Sequence, residues 1–211
     1  MANMEDVLAL YQCPYDPRPP LVHMAAKPVQ LIKETRAPWP APPGQPSRDD
    51  DEYARVGTAN VLLLTEPLPG WRTSEIAAQR TAVDGAHQIT PLLDDGSPDA
   101  DKVTLGCDHL HTHKIASLSE ALEPPEARRL ARRLEVPYTP KPGSWLNSAA
   151  SALSVLTKPC LERRIPAIET LRQDTKAWEH ERNAKQTGVA WQFTTADARI
   201  RLKRLYPQYQ D

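Results

Sequence analysis

Residues 103–113 read VTLGCDHLHTH. The run opens with β-branched and apolar residues, which suits a strand buried on both faces, and turns polar at Asp108. Asp108 is therefore expected at the C-terminal edge of a strand. In an open α/β sheet that edge is where ligands and metal ions gather, so a carboxylate there is a candidate site residue. An aspartate that caps a helix or closes a turn would read the same way, and the rest of the chain has to decide between the two.

A chain of 211 residues holds one domain with a substantial core, or a domain with extensions. The formal charge of −1 and a sequence pI of about 6.6 argue against a globally basic nucleic-acid binder, although a local basic face fits within a balanced total. Twenty-two prolines against eight glycines place many breaks in the first fifty residues and between later segments. Cys13, Cys107 and Cys160 are odd in number and far apart, which excludes a disulfide framework and any CxxC motif and fits a reducing, cytoplasmic setting. The opening MANMEDVLALY has acids where a signal peptide carries bases, and no apolar stretch reaches the roughly 18 residues of a membrane span.

Along the chain, residues 4–11 read as a short helix stopped by Pro14, Pro17, Pro19 and Pro20. Residues 21–26 (LVHMAA) read as a short strand, with residues 29–35 its antiparallel neighbour across Lys27-Pro28. Residues 37–47 (APWPAPPGQPS) are an extended loop, and the acids at 49–52 read as a solvated face. Residues 57–65 make a third strand, and residues 74–93 a helix with Ser74 as its N-cap. Residues 103–108 are the fourth strand. Residues 116–122 and 126–134 read as helices parted by Pro124 and Pro125, the second setting Arg128, Arg129, Arg132 and Arg133 beside Leu130 and Leu134. That face suits phosphates, although a surface helix rich in arginine is the plainer reading. Residues 136–140 give a short edge strand, and residues 143–161 open a helix that Pro159 should interrupt. Ile168, Leu171 and Trp178 keep helical spacing, and Thr195 is placed to cap a last helix. The order predicts an α/β protein: a ribonuclease-H-like mixed five-stranded sheet flanked by helices.

Several motifs together carry a family resemblance: KPVQL from Lys27, RVGTAN from Arg55, the D-x-x-x-T-H pattern from Asp108, YTPKPGSWLN from Tyr138 and FTTADARIRLKRLYP from Phe193. The chain resembles the catalytic half of mariner-like bacterial insertion-sequence transposases of the DDE superfamily, from about Met4 to Tyr209. On that resemblance residues 1–20 are an N-terminal arm, 21–161 a ribonuclease-H-like DDE transposase domain, and 162–211 its C-terminal helical extension. The family cuts and joins DNA with three carboxylates holding two Mg²⁺ ions about 4 Å apart, which align the attacking and leaving oxygens of the scissile phosphate.

Carried over residue by residue, the first acid falls on Ala25 and the third on Ala150, with a further acid common in this group falling on Ala152. Only Asp108 of the triad remains, as the sole expected catalytic and metal-binding acid. Alanine has no ligand atom, so Mg²⁺ is not expected to bind productively, and the chain is expected neither to cut nor to join DNA. The loss fits natural decay or deliberate alanine substitution equally. A replacement site for a softer metal is conceivable from His109, His111 and His113 with His23 and Cys107 nearby in the fold, but paired histidines are more often structural. Transposon-end DNA is the partner that the resemblance implies. Its contacts are expected to be weak and salt-sensitive, through Arg128, Arg129, Arg132, Arg133, Lys141, Trp145 and Asn147, with Arg163, Arg164, Arg201, Lys203 and Arg204 adding charge. The helix-turn-helix domains of the family are missing from this sequence, so specific end recognition is expected to be missing too. The alternative is a non-catalytic regulatory fragment that pairs with itself or with an intact transposase.

Overall fold

A computed structural model describes residues 2–36, 44, 52–79, 81–107, 115–137 and 141–206. Its organising element is β1 (Leu21–Glu34), a 14-residue strand with Val22 and Met24 buried toward one face and Ala25, Val29 and Leu31 toward the other. Burial on both faces is what a central strand requires. β2 (Tyr53–Glu66) runs antiparallel to β1 from His23 to Glu34, and β3 (Trp71–Ala77) runs antiparallel to β2. The turn between them is PLPG, residues 67–70. Gly70 closes it with φ +76°, and its amide donates to the Glu66 carbonyl at 3.1 Å. β4 (Val103–Cys107) lies parallel to β1 on its other side, and β5 (Leu134–Glu135) parallel to β4. Among the described residues the sheet is five-stranded, in the order β3-β2-β1-β4-β5.

Helices cover both faces. The face of β1 that carries Val22 and Met24 is packed by α2 (Ala82–Pro91), α3 (Leu118–Ala121) and α4 (Pro124–Arg133), with Ile89, Leu93, Leu118 and Leu130 in the shared core. The opposite face is packed by α5 (Ser148–Leu156) and α6 (Ile168–Ala184), through Leu153, Leu156, Leu171 and Trp178. A third cluster joins α1 (Ala2–Gln12) to α7 (Thr195–Arg201) around Leu8, Leu146 and Ala198. The outer edge of β3 is closed by side chains of α6. Asn183 accepts from the Arg72 amide (3.0 Å) and donates to the Arg72 carbonyl (2.7 Å), and Glu179 accepts from the Ser74 amide (2.7 Å). An edge satisfied in this way has no free backbone ladder for another strand.

Four local expectations are corrected. Residues 21–26 and 29–35 are one strand, not a hairpin: β4 pairs only with residues 21–24 of β1, so beyond Met24 that side of β1 has no strand partner among the described residues, and Pro28 is tolerated there. The helix expected over 74–93 begins only at Ala82, capped by Thr81 rather than Ser74. Ser74 lies in β3, where Arg72, Ser74 and Ile76 alternate inward in strand fashion. The edge strand expected from residue 136 lies at Leu134–Glu135, Val136 and Pro137 follow it outside any strand, and residues 138–140 of that expectation lie outside the described residues. Thr194, not Thr195, caps α7, in a capping box with Asp197. Two boundaries also shift. The third strand starts at Tyr53 rather than at residue 57, and residues 143–161 divide into a 3₁₀ segment (Lys141–Leu146), α5 and a π turn (Thr157–Leu161) that absorbs Pro159. The proline loop at 37–47, apart from Gly44, and the acids Asp49, Asp50 and Asp51 lie outside the described residues. No described helix is long and apolar enough to cross a membrane.

Candidate active site

The parallel register of β1 and β4 ends with Met24 opposite Cys107, the residue preceding Asp108 in the chain. Asp108, His109, His111 and His113 lie outside the described residues, as do Tyr138, Thr139 and Pro140. The β1 side of the site is described in full. Ala25 is 4% exposed and belongs to an apolar cluster with Val29, Ala149 and Leu153, against which Ala150 and Ala152 also pack. The three alanines of the sequence motif therefore lie along one seam, between β1 and α5.

Asn147 fixes that seam. Its Oδ1 accepts from the Ala149 amide at 3.0 Å, capping α5, while its Nδ2 donates to the Met24 carbonyl at 2.8 Å. The Asn of GSWLN is 2% exposed and ties the start of the helix to the strand, which is a structural use of a residue expected to meet DNA. Methyl groups at 25, 150 and 152 offer no lone pair, and among the described residues no group of three or more His, Cys, Asp or Glu is arranged to hold a metal ion. The described side of the site does not fit a pair of hard divalent cations, which need oxygen ligands.

What occupies the polar centre beside the seam is a neutral network. His23 is 1% exposed, and its Nδ1 accepts from the Ser148 hydroxyl (2.6 Å) and the Ser148 amide (3.2 Å), with the Tyr11 hydroxyl 2.8 Å away. A backbone N–H can only donate, so Nδ1 is the acceptor and the ring proton sits on Nε2. Tyr11 in turn donates to the Leu146 carbonyl at 2.5 Å. Burial pulls the His23 pKa down from 6.5 to about 3 and pushes the Tyr11 phenol up, so both are uncharged at neutral pH. The ring lies directly over Gly106. A Cβ at that position would come within 2.2 Å of His23 Cδ2 and 2.5 Å of Nε2. His23 is legible in the sequence as a polar residue inside the apolar LVHMAA. Its partners are not, because Tyr11 and Ser148 are brought to it from far along the chain and share no spacing with it.

The basic residues divide by use. Arg129 clamps Asp94 with two bonds (2.8 and 2.7 Å) and also reaches Glu126, and Arg133 donates to the Ser97, Pro98 and Ala100 carbonyls. These two tie α4 to the segment following α2, whereas Arg128 and Arg132 are exposed. Arg163 pairs with Asp174, and Arg164 with Glu34 and the Tyr53 ring. Arg201, Lys203 and Arg204 are exposed near the C-terminal end of the described chain. Lys141 opens the 3₁₀ segment. Trp145 is 40% exposed and begins an aromatic ladder, with its ring 6.2 Å from Trp191, which stacks at 4.7 Å on Tyr11.

A family model described as DDE superfamily endonuclease matches residues 20–172. Among curated proteins none matches the sequence significantly. Among solved structures, the fold is similar to that of the Mos1 mariner paired-end complex with Mn (TM-score 0.57, 15% identity, 88% of this chain and 55% of that one). It is similar also to the Mos1 strand transfer complex (0.58, 14%, 88% and 55%) and to a pre-cleavage Mos1 transpososome (0.57, 14%, 90% and 62%). The chain thus spans less than two thirds of the length of these transposases, and at such identities the likeness is one of fold.

Proposed function

Since the chain belongs to the DDE superfamily endonucleases, with the ribonuclease-H-like fold of a transposase catalytic domain, we propose that it is such a domain by descent and has lost the ability to cut and join DNA. The observation that carries this is the seam between β1 and α5. Of the two positions where the family places metal-binding acids, Ala25 lies in one apolar cluster and Ala150 packs against it, and neither side chain holds an oxygen. Asp108 alone is a single carboxylate, and one carboxylate does not hold two Mg²⁺ ions against their hydration. The branch within the family, that of bacterial insertion sequences, rests on the sequence motifs, GSWLN above all. One Mos1 structure is a paired-end complex with the left transposon end, and a duplex is the partner for which the exposed Arg128, Arg132, Arg201, Lys203 and Arg204 would supply charge.

The test is a nicking assay on supercoiled plasmid and on duplexes carrying the cognate transposon end, with Mg²⁺ or Mn²⁺. No turnover above buffer is expected. Metal-dependent turnover that disappears in Asp108→Ala would falsify the proposal.

A further inference from the structure

α7 carries the most exposed large apolar side chain among the described residues, Ile200 at 77%. Ala198 and Leu202 turn inward toward α1, and Ile200, two residues on from Ala198 and so about 200° around the helix, points to solvent. The exposed cation Arg204 follows in the 3₁₀ turn Lys203–Leu205. Elsewhere on the surface, a groove of about 240 Å³ lies between the end of α1, with the arm that follows it, and the β2–β3 turn. Its walls are apolar and open to solvent: Tyr15 is 50% exposed, Leu68 42% and Val189 52%. They are also held in place. The Tyr15 phenol donates to Glu66, and the Val189 amide donates to the Pro67 carbonyl at 2.7 Å. Asp16 lines the same groove with its side chain 45% exposed, 3.6 Å from Arg18 Nε, and Glu66 is a second carboxylate there. No lysine or arginine is among the described residues that line it. The volume is below the roughly 300–1,000 Å³ of small-molecule sites, and suits a single aliphatic side chain better than a ligand.

We propose that the groove receives Ile200 of a second copy of this chain. The apolar knob meets the walls made by Tyr15, Leu68 and Val189, and Arg204 behind it meets the acidic groove, so the two surfaces are complementary in polarity and in charge. A single exposed aliphatic side chain needs no explanation, whereas a knob and an open apolar pocket elsewhere on the same molecule form a heterologous contact between copies. The contact leaves the metal-binding positions untouched, so it stands apart from the outcome of the cleavage assay.

Sedimentation velocity of the whole chain tests it, without DNA because Arg204 is also offered to a duplex. Over about 10–300 µM the average mass is expected to rise with concentration, with Kd on the order of 0.1 mM for so small a contact. Ile200→Lys on the knob and Val189→Lys on the groove should each weaken association at least about tenfold, the loss of one buried aliphatic contact, and Arg204→Glu about threefold. All three side chains are exposed, so the fold should survive, which circular dichroism checks. A mixture of the first two variants is the sharper measurement. Ile200→Lys keeps its groove and Val189→Lys keeps its knob, so together they should associate where neither does alone. A chain that stays monomeric over the range, association unchanged in any of the three folded variants, or a mixture no more associated than its components would each overturn the proposal.

Discussion

His23 and Gly106 are matched to each other: the imidazole occupies the space that any Cβ on Gly106 would take, at 2.2 Å from Cδ2. Because the ring is held at Nδ1 by Ser148 and flanked by Tyr11, it cannot give way without breaking those bonds. Gly106→Ala should therefore destabilise the fold by about 1–3 kcal/mol, the usual cost of overfilling a packed core, and chemical denaturation measures it. If the midpoint does not move, the ring is not confined as described. The same burial sets a pH dependence. Protonation of His23 is easier in the unfolded chain, near 6.5, than in the folded one, near 3. Below pH 6.5 the unfolded state therefore binds the extra proton. The stability linked to this group is complete above pH 6.5 and is lost as pH falls toward 3, at a slope approaching about 1.4 kcal/mol per pH unit. Glu66, whose carboxyl is pushed up by burial, has the opposite sign just above its ordinary 4.5, so the two partly offset each other. Comparing wild type with His23→Gln cancels Glu66. The variant should lose the extra steepness between pH 6.5 and 4.5, and identical profiles would show that His23 does not titrate on unfolding.

Two helix starts use the same device in different surroundings, and the difference sets their weight. Thr194 caps α7 at a half-exposed position, accepting from the Asp197 amide at 3.1 Å, and Thr194→Ala should cost about 1 kcal/mol. Asn147 both caps α5 and pairs the buried Met24 carbonyl, so Asn147→Ala removes a cap and strands an acceptor. Its cost should be about 2–4 kcal/mol, measured by the same denaturation, and equal losses at the two sites would mean that the bond to Met24 contributes nothing. Elements of this kind explain what can be read in advance. The strand ending near Cys107, the first helix, the proline-split helices and the mixed sheet follow from local pattern. The errors lie where context overrides it. Lys27-Pro28 reads as a turn, yet β1 passes through it because β4 is too short to need a donor there. Ile76 and the residues after it read as a helical stripe, although Pro69-Gly70 already signals a hairpin and the inward alternation of Arg72, Ser74 and Ile76 only acquires meaning once α6 covers that face. At the site, the assignment of Ala25 and Ala150 rests on the motifs alone, and the network of Tyr11, His23 and Ser148 could not be read at all, because it exists only after folding.

At the level of the whole molecule, the question is whether the fold still holds the space in which two cations would sit, or has closed it with methyl groups. The β1–α5 seam favours closure: Ala25 is 4% exposed among Val29, Ala149 and Leu153, so a carboxylate there would be buried without a partner. The double substitution Ala25→Asp with Ala150→Glu should accordingly lower the melting temperature in metal-free buffer, since an unpaired buried charge is expensive. If Asp108 completes the set, Mn²⁺ should then recover stability. At about a hundredfold excess over Kd the gain is about 2.7 kcal/mol, or roughly 5–10 °C for a chain of this size. The wild-type chain, under the same titration, should shift by less than about 1 °C, because one acid offers too few ligands for tight binding. A wild-type shift as large as that of the double variant, abolished by Asp108→Ala, would show that the ions find other ligands and that the alanines alone do not disable the site. A double variant that melts lower and stays there in Mn²⁺ would show instead that the surrounding fold has itself drifted away from metal binding, a deeper loss than the two side chains record.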